Sequence, residues 1–531
     1  MPINLYFLPI LYLLFSGICF ILHKMKSWAF LSINLLLLIS AVIFGLVNPG
    51  MGNFAHFLLQ ILLPIQFINL IFYVFVEKSG ELNRMPSKYE VQFPLKRGRL
   101  TIKDIRRGIS LIGAAGSGKT ESVIYNLMLH LSKFGFSGVL HDYKNFELTE
   151  MAYLLFKSEK PNFFIISFDQ VYNKVNPIAS HYLPDEESVN EISRVLLENL
   201  LEQKESGAVG SSKFFNDAVE GLIGGIIWKL KTNFPEFCTI PHLIALYQQL
   251  TTNQLVKFLS SDIISMAMAN AFISGKDSER QLAGVKSTLS NAFKKISTQR
   301  IFMALSADEV PLNVNDPKNP IVISLVNNPK FETSYSPIIA TILHSITKQM
   351  SVRNQHSSFL LMEEAPTIRL LNMHRIPATL RSYDISTIYV MQDKVQNDIM
   401  YGDKVSKAIL GNLSYQFFGK VNDPDTAKYY ERFFEIVKKE TKSVHQSETL
   451  RFDTSITKGE KEVAKIRAEI FFKLKTGEFI TFADGKDKRA HFRIPNIPRG
   501  LPEPAKCYSK EDLMENFEHI HLEARSILKR I

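Results

Sequence analysis

Ile109-Ser-Leu-Ile112 runs directly into Gly113-Ala-Ala-Gly116-Ser-Gly118-Lys119-Thr120, and Glu121 to Leu131 follows with helical spacing. The loop matches G-x-x-x-x-G-K-[ST] in full. It also stands where that pattern has physical meaning, between a short apolar strand and a helix. Glycines let backbone amides close around phosphates, and the helix N-terminus adds its partial positive charge. Lys119 reaches the β and γ phosphates of a nucleoside triphosphate, and the Thr120 hydroxyl binds Mg²⁺. The expected nucleotide-binding set is Gly113, Ala114, Ala115, Gly116, Ser117, Gly118, Lys119, Thr120 and Glu121, with ATP and Mg²⁺ as cofactors.

The rest of the chain keeps the rhythm that such a loop requires. Short β-rich runs recur at Gly138 to His141, Phe163 to Phe168, Ile321 to Leu325, Phe359 to Met362, Thr387 to Met391, Tyr415 to Phe418 and Phe479 to Phe482. Most are too short for helices and are flanked by turn residues or helical stretches, which predicts an α/β fold with a parallel sheet covered on both faces. Between Asn176 and about Pro311 the alternation stops. There Ile192, Val195, Leu196 and Leu200 share one helical face, as do Leu282, Val285, Leu289 and Phe293. The expectation is an all-α insertion over 181–304 that interrupts a nucleotide-binding domain made of 108–180 and 305–494. A proline-rich linker and a separate amphipathic helix or pair of helices complete 495–531.

A phosphate loop needs a carboxylate at the end of a second buried strand to hold hydrated Mg²⁺, and a neighbour to orient water. Phe359-Leu-Leu-Met-Glu363-Glu364 supplies the pair. Glu363 is assigned to the magnesium together with Thr120, and Glu364 to the attacking water. Glu363 stands where aspartate is usual, and its extra methylene moves the carboxylate outward by about an ångström. The next strand ends in Met391-Gln392-Asp393, where a glutamine senses nucleotide state or positions water. Arg381, just ahead of that strand, reads either as an arginine finger for a neighbouring subunit's γ phosphate or as an exposed salt-bridging arginine.

Three apolar runs precede all of this: Leu5 to Leu22, Trp28 to Val47 and Phe57 to Val76, none with a Lys, Arg, Asp or Glu. The shortest makes about 27 Å of helix, close to the roughly 30 Å hydrocarbon thickness, so 1–76 is expected to cross a membrane three times. A cleaved signal peptide is the rival for the first run, but a basic n-region and an A-x-A-like site are missing. The loop Asn48-Pro-Gly-Met-Gly-Asn53 is uncharged, whereas Lys24 and Lys26 follow the first run and Lys78, Arg84, Lys88, Lys96, Arg97 and Arg99 follow the third. Lysine and arginine collect on the cytoplasmic side, which puts the N-terminus outside and the bulk of the chain in the cytoplasm, joined by a basic linker over 77–107. Gln60, Pro64, Gln66 and Asn69 form either a polar pathway or glue between helices, and glue is favoured.

Cys19, Cys238 and Cys507 are scattered singly, which supports neither a disulfide framework nor a zinc site. A 46% hydrophobic composition excludes a disordered chain. The net charge of +10 favours a polyanionic partner, nucleic acid or an anionic membrane surface, without choosing between them. Lys276, Arg280, Lys286, Lys294, Lys295 and Arg300 make a stripe able to neutralise phosphates, or else a solvated helix face diluted by Asp277 and Glu279.

Further matches extend the pattern. Ala365-Pro366-Thr367 follows the carboxylate pair, and Gln392, Gln396, Tyr401 and Gly402 fit Q-x-x-x-Q-x-x-x-x-Y-G. With the three spans, the phosphate loop and the helical insertion, the chain resembles the type IV coupling proteins of conjugation, TraG/TraD-like membrane ATPases of the FtsK/HerA-type superfamily. The resemblance implies a RecA-like domain and a ring-shaped homohexamer, multi-pass in the inner membrane, among the inner-membrane components of a type IV secretion system. It implies Mg²⁺-dependent ATP hydrolysis coupled to moving single-stranded DNA, with its attached relaxase, toward the secretion channel. It also favours the finger role for Arg381. The family's D-P-K-G-E appears here as Asp142-Tyr-Lys144-Asn-Phe-Glu147, without the proline and glycine. The rival functions are a coupling ATPase that delivers protein effectors only, and a membrane scaffold that binds nucleotide without turnover.

Overall fold

The computed structural model describes residues 7–25, 29–47, 51–83, 87–157, 161–201, 211–275, 279–446 and 454–529. The chain divides into two units, Met1–Ser87 and Lys88–Ile531.

The first unit is helical. Phe7–Met25 and Ala29–Val47 are single helices, while Met51–Phe57, a π turn over Leu58–Leu62 and Leu63–Asn83 follow without a break. Pro64 has no N–H to give the helical ladder, and the π turn just before it absorbs the change of register. This last helix overruns the expected Phe57 to Val76 at both ends. Glu77, Lys78, Glu81 and Leu82 are good helix formers and carry it past the apolar run. Among the described residues, two stretches are long and apolar enough to cross a membrane, Phe30–Val47 and Gly52–Val74. Leu31, Leu36, Leu46 and Phe67 are exposed on them, an arrangement that water penalises and hydrocarbon does not. Gln66 Nε2 donates to Asn34 Oδ1 at 3.4 Å between two of the helices, as amides acting as glue do.

The second unit contains β1 (Val91–Pro94), β2 (Arg99–Ile102), β3 (Ile109–Ile112), β4 (Ser137–Asp142), β5 (Asn162–Ile166), β6 (Ile321–Val326), β7 (Ser358–Met362), β8 (Ile385–Met391), β9 (Tyr415–Phe418), β10 (Ile436–Gln446), β11 (Thr454–Ala464), β12 (Glu478–Ala483) and β13 (Lys486–His491). A 9-stranded sheet has the order β13-β12-β9-β3-β8-β7-β4-β6-β5. From β9 to β5 every pairing is parallel. The sequence reason is that β3, β4, β6, β7, β8 and β9 are buried along their whole length, so apolar residues occupy both faces instead of alternate positions, while β4 closes on His141 and Asp142. The strand at Phe479 to Phe482 departs from the parallel expectation. β12 runs antiparallel to β9 and to β13, the latter through Asp484-Gly485, whose φ values of 50° and 76° suit a two-residue hairpin turn.

One face of the sheet packs on Val123, Leu127, Leu148 and Met151 and on the β1–β2 hairpin. Residues 88–107, expected as linker, therefore belong to the fold: Val91, Phe93, Ile102 and Ile105 are fully buried. The described elements between β5 and β6 are helical, chiefly Glu186–Leu200, Ser211–Asn233, Ile240–Gln249, Thr252–Ser260, Glu279–Ile296 and Gln299–Ala304. Their apolar faces, including Ile192, Val195, Leu196, Leu282, Leu289 and Phe293, share one continuous core with Leu360, Met362 and Tyr389 of the sheet. The segment expected as a separate tail is a single helix, Lys510–Lys529, held against these helices by Phe517 on Phe302 at 4.6 Å and by Gln249 Nε2 donating to His521 O at 2.9 Å.

Candidate nucleotide-binding site

At the carboxyl end of β3, Gly113 to Thr120 turns into a helix that opens with a π turn, Thr120–Ile124, and continues as Tyr125–Lys133. Gly116 and Gly118 hold φ of 73° and 84°, where glycine is free and other residues are strained. The loop is anchored on both sides, with Gly113 N donating to Met391 O at 3.2 Å and Ala114 N to Lys420 O at 2.7 Å. Gly477 N donates to Ser117 O at 2.9 Å and Thr476 Oγ1 to Gly116 O at 3.0 Å. Thr476 and Gly477 were missed in the sequence, where the only signal was a turn glycine just before a strand. Ala115 and Gly116 form an exposed rim, Glu121 is half-buried, and Thr120 is buried.

Lys119 is buried, donates from Nζ to Gly113 O, and stands 4.0 Å from Glu364 Oε1. Burial lowers its proton affinity, and the nearby Glu364 charge opposes that shift. Because β8 lies between β3 and β7, the residue at its carboxyl end falls between the phosphate loop and the carboxylate pair. That residue is Gln392, and its Nε2 donates to Glu364 Oε1 at 3.2 Å. Glu364 itself holds φ 45° and ψ 50°, a left-handed conformation that costs a non-glycine residue about 1 kcal/mol or more. Thr367 N and Oγ1 donate to its carbonyl at 2.9 and 2.7 Å and help to keep it there.

Glu363 turns the other way, toward the end of β4. Its Oε2 accepts from Tyr143 N at 3.2 Å, its Oε1 lies 3.3 Å from Lys144 Nζ, and its carbonyl accepts from His141 Nδ1 at 2.9 Å. Burial pushes the Glu363 carboxyl up to about 8, Asp142 adding to the shift and Lys144 opposing it. Asp142 is fully buried and accepts from Thr149 N, Thr149 Oγ1 and Lys144 N, yet burial still pushes it up to about 6. Thr120 is not among the described hydrogen-bond partners of Glu363, so the structure does not join the two residues assigned to magnesium.

Arg381 is not brought to the site in its own chain. It ends the helix Ile376–Arg381 ahead of β8, so the length of that strand, about 23 Å at 3.3 Å per residue, separates it from Gln392. Its guanidinium lies 3.7 Å from Asp104. The basic stripe is divided as well. Lys276 lies outside the described residues, Lys295 Nζ donates to Leu200 O, Arg300 pairs with Asp169 at 2.9 Å, and Arg280 and Lys294 are exposed.

The oxygen set suits a magnesium nucleotide. Glu363 and Glu364 offer two buried carboxyl groups and Thr120 a buried hydroxyl, and among the described residues Ser117 Oγ is buried without a hydrogen-bond partner. Hard oxygen donors of this kind are what Mg²⁺ takes, with substrate phosphates completing the shell.

A parallel sheet with a phosphate loop leaving a central strand, and an acidic pair two strands away, defines the class of P-loop α/β proteins. Residues 81–480 match the family of type IV secretory system conjugative DNA transfer proteins, and the chain belongs to that family. Its structure is similar to the bacterial conjugative coupling protein TrwBdeltaN70 in an unbound form, with a TM-score of 0.61 and 14% identity over 80% of this chain and 93% of that one. It is also similar to plasmid coupling protein TrwB in complex with the ATP analogue ADPNP (TM-score 0.60, 13% identity, 80% and 94% covered). The complex of TrwB with ADP and Mg²⁺ gives a TM-score of 0.60 at 13% identity, with 82% and 95% covered. At these identities the likeness is one of fold. The sequence matches no curated protein.

Proposed function

We propose that this chain is a membrane-anchored ATPase that couples ATP hydrolysis to the transfer of single-stranded DNA and its relaxase into a type IV secretion channel during conjugation. The observation that carries the reading is the polar chain Lys119–Glu364–Gln392, at the carboxyl edge of a sheet in a conjugative DNA transfer protein. Gly113 to Glu121 cradle the phosphates, with Lys119 at the β and γ groups. Thr120 and Glu363 hold Mg²⁺, which when bound offsets the charge that develops on the phosphates. Glu364 and Gln392 orient the attacking water. Arg381 acts on a neighbouring protomer's nucleotide, which requires assembly into a homohexamer.

In this reading 1–76 crosses the inner membrane three times with the ATPase in the cytoplasm, 108–180 and 305–494 form a RecA-like domain, and 181–304 is an all-α insertion that meets the cargo. Support comes from the exposed apolar helices, from the helical stretch between β5 and β6, and from TrwB, a protein of similar fold studied with ADPNP and with ADP and Mg²⁺.

The test is the ATPase rate against added single-stranded DNA, for the wild type and Lys119→Ala, at two salt concentrations. DNA stimulation that is lost in Lys119→Ala and weakened at high salt is expected. Hydrolysis indifferent to DNA, with protein substrates still exported, would favour an effector-delivering ATPase. Nucleotide binding without hydrolysis under any condition would favour a scaffold.

A further inference from the structure

The turn after β4 is built more tightly than a connection needs. Asn145 and Phe146 both hold left-handed φ, 50° and 77°, and neither is glycine. Two such residues in succession cost about 1 kcal/mol or more each, and they persist only where the surroundings over-determine them. Here they do. Asp142 accepts from Lys144 N at 3.1 Å and from Thr149 N at 2.8 Å, Asn145 N donates to Asn327 O at 3.1 Å, and Asn327 N donates to Asp142 O at 2.7 Å. The result is that Lys144 folds back over the end of β7. Its Nζ lies 3.3 Å from Glu363 Oε1 and 3.7 Å from Glu147 Oε2.

We propose that Lys144 is a positioning residue for Glu363, pairing its buried carboxylate and fixing the orientation from which it serves a magnesium nucleotide. The proposal rests on the reading above that gives Glu363 to the metal. The side chain of Glu363 is 1% exposed while that of Lys144 is 38% exposed, so the lysine reaches in from solvent to a carboxylate that has almost no water of its own. Burial favours the neutral form of that carboxyl and Lys144 opposes it, so the ion pair belongs to the charged form that a metal would take. Glutamate also has one more rotatable bond than the aspartate usual at this position. Tyr143 N on one carboxylate oxygen and Lys144 on the other remove that freedom, a two-point hold that a shorter side chain would not require. The lysine of Asp142-Tyr-Lys144-Asn-Phe-Glu147 thereby gains a role despite the missing proline and glycine.

The experiment uses the full-length protein and a fluorescent ADP analogue, titrated with Mg²⁺ and, separately, in EDTA. Lys144→Met keeps the stem and removes the charge, and Lys144→Arg keeps the charge. Partners that orient a metal-binding group typically contribute about 10-fold or more to metal affinity. Lys144→Met is therefore expected to need about 10-fold more Mg²⁺ for half-saturation, with its affinity in EDTA unchanged, and Lys144→Arg to restore most of the difference. Unchanged affinity in EDTA also reports a folded site. A wild-type Mg²⁺ dependence in Lys144→Met would overturn the proposal, and so would a lowered requirement, which would make the lysine a competitor of the metal. Glu363→Gln separates the two layers: if that variant keeps the wild-type Mg²⁺ dependence, Glu363 does not serve the metal, and the underlying assignment fails along with the proposal.

Discussion

Arg369 Nε donates to Glu198 Oε2 at 3.0 Å, and only 9% and 16% of the two side chains are exposed. The backbone is clasped as well, with Arg369 N donating to Asn199 Oδ1 at 3.1 Å and Asn199 Nδ2 to Arg369 O at 2.9 Å. Helix Glu186–Leu200 is thus tied to the segment that follows the Glu364 turn. Glu198, Asn199, Arg369, Glu364 and Gln392 line one cavity of about 540 Å³. Glu198 keeps a second partner, Arg194 Nε donating to its Oε1 at 2.8 Å, so losing Arg369 removes one charged hydrogen bond, about 1.5 to 3 kcal/mol, rather than stranding a buried charge, and removing Arg369 and Glu198 together costs less than the sum. Arg369→Met should therefore lose stability on that scale in denaturant unfolding of the detergent-solubilised chain. The double variant with Glu198→Met should lose less than the two single losses added. Purely additive losses would show that the pair is not energetically coupled.

The sheet was legible where burial on both faces erased ambiguity. Ile385 to Met391 is uninterrupted by charge, as are β3, β6, β7 and β9, and a short, mainly apolar run beside turn residues has few alternatives. The strands that escaped are those whose pairing owes little to apolar side chains. β13, Lys486–His491, is a charged edge strand in which only Ala490 is buried, and β10, Ile436–Gln446, carries Lys438, Lys439, Glu440 and Lys442 in a run without alternation. In the site, the residue types at Glu363, Glu364 and Gln392 were readable from strand ends. The direction in which each side chain turns was not, because it is decided by which strand lies alongside. β8 beside β7 gives Glu364 the partner Gln392, and β4 on the other side gives Glu363 the partner Lys144. The contacts of Thr476 and Gly477 carry no motif at all, since they arise when β12, antiparallel between β9 and β13, brings its preceding turn against the phosphate loop.

Two glycines of the loop separate strain from collision. A side-chain carbon at Gly118 would lie 2.8 Å from Gly477 N, whereas one at Gly116 would meet nothing within 4 Å, and both residues hold left-handed φ. Gly116→Ala should therefore pay backbone strain alone, about 1 kcal/mol, and keep measurable nucleotide binding. Gly118→Ala has to displace the Thr476-Gly477 turn as well and should lose binding by at least about 10-fold more. Equal losses in a direct binding titration would mean that the turn yields freely.

His141 and Asp142 are adjacent, fully buried, and oppose each other in pH. Burial holds His141 down to about 4 from its ordinary value of 6.5, so the unfolded chain takes a proton that the folded chain refuses. Its contribution is therefore present above about pH 6.5 and lost as pH falls toward 4. Burial holds Asp142 up to about 6 from 3.8, so the folded state keeps a proton that the unfolded chain releases, and stability is lost as pH rises from 3.8 to 6. Each effect is on the order of 3 kcal/mol, and over the shared window they nearly cancel. Asp142→Asn removes one of them. Its unfolding free energy should then fall on acidification from pH 6.5 to 4 more steeply than that of the wild type. Parallel curves for the two proteins would show that the carboxyl is not held protonated by the fold.

The two carboxylates after β7 differ in what they face, and that difference is measurable. Glu364 Oε1 stands 4.0 Å from Lys119 Nζ and accepts from Gln392, while Glu363 is held by Tyr143 N and Lys144. A group that orients or deprotonates the attacking water contributes roughly 10²- to 10⁴-fold to the rate. Glu364→Gln keeps the shape and removes the charge, so hydrolysis should fall by at least about 10²-fold while nucleotide affinity stays within a few-fold of wild type. Gln392→Ala removes the hydrogen bond but leaves the carboxylate, so its loss of rate should be smaller, and the two losses should not add in the double variant because both act through one oxygen. Single-turnover hydrolysis, which excludes product release, is the measurement that checks this. If Glu364→Gln turned over at the wild-type rate while Glu363→Gln did not, the water-orienting role would pass to Glu363, and the proximity of Lys119 to Glu364 would be an ion pair that nucleotide binding has to break.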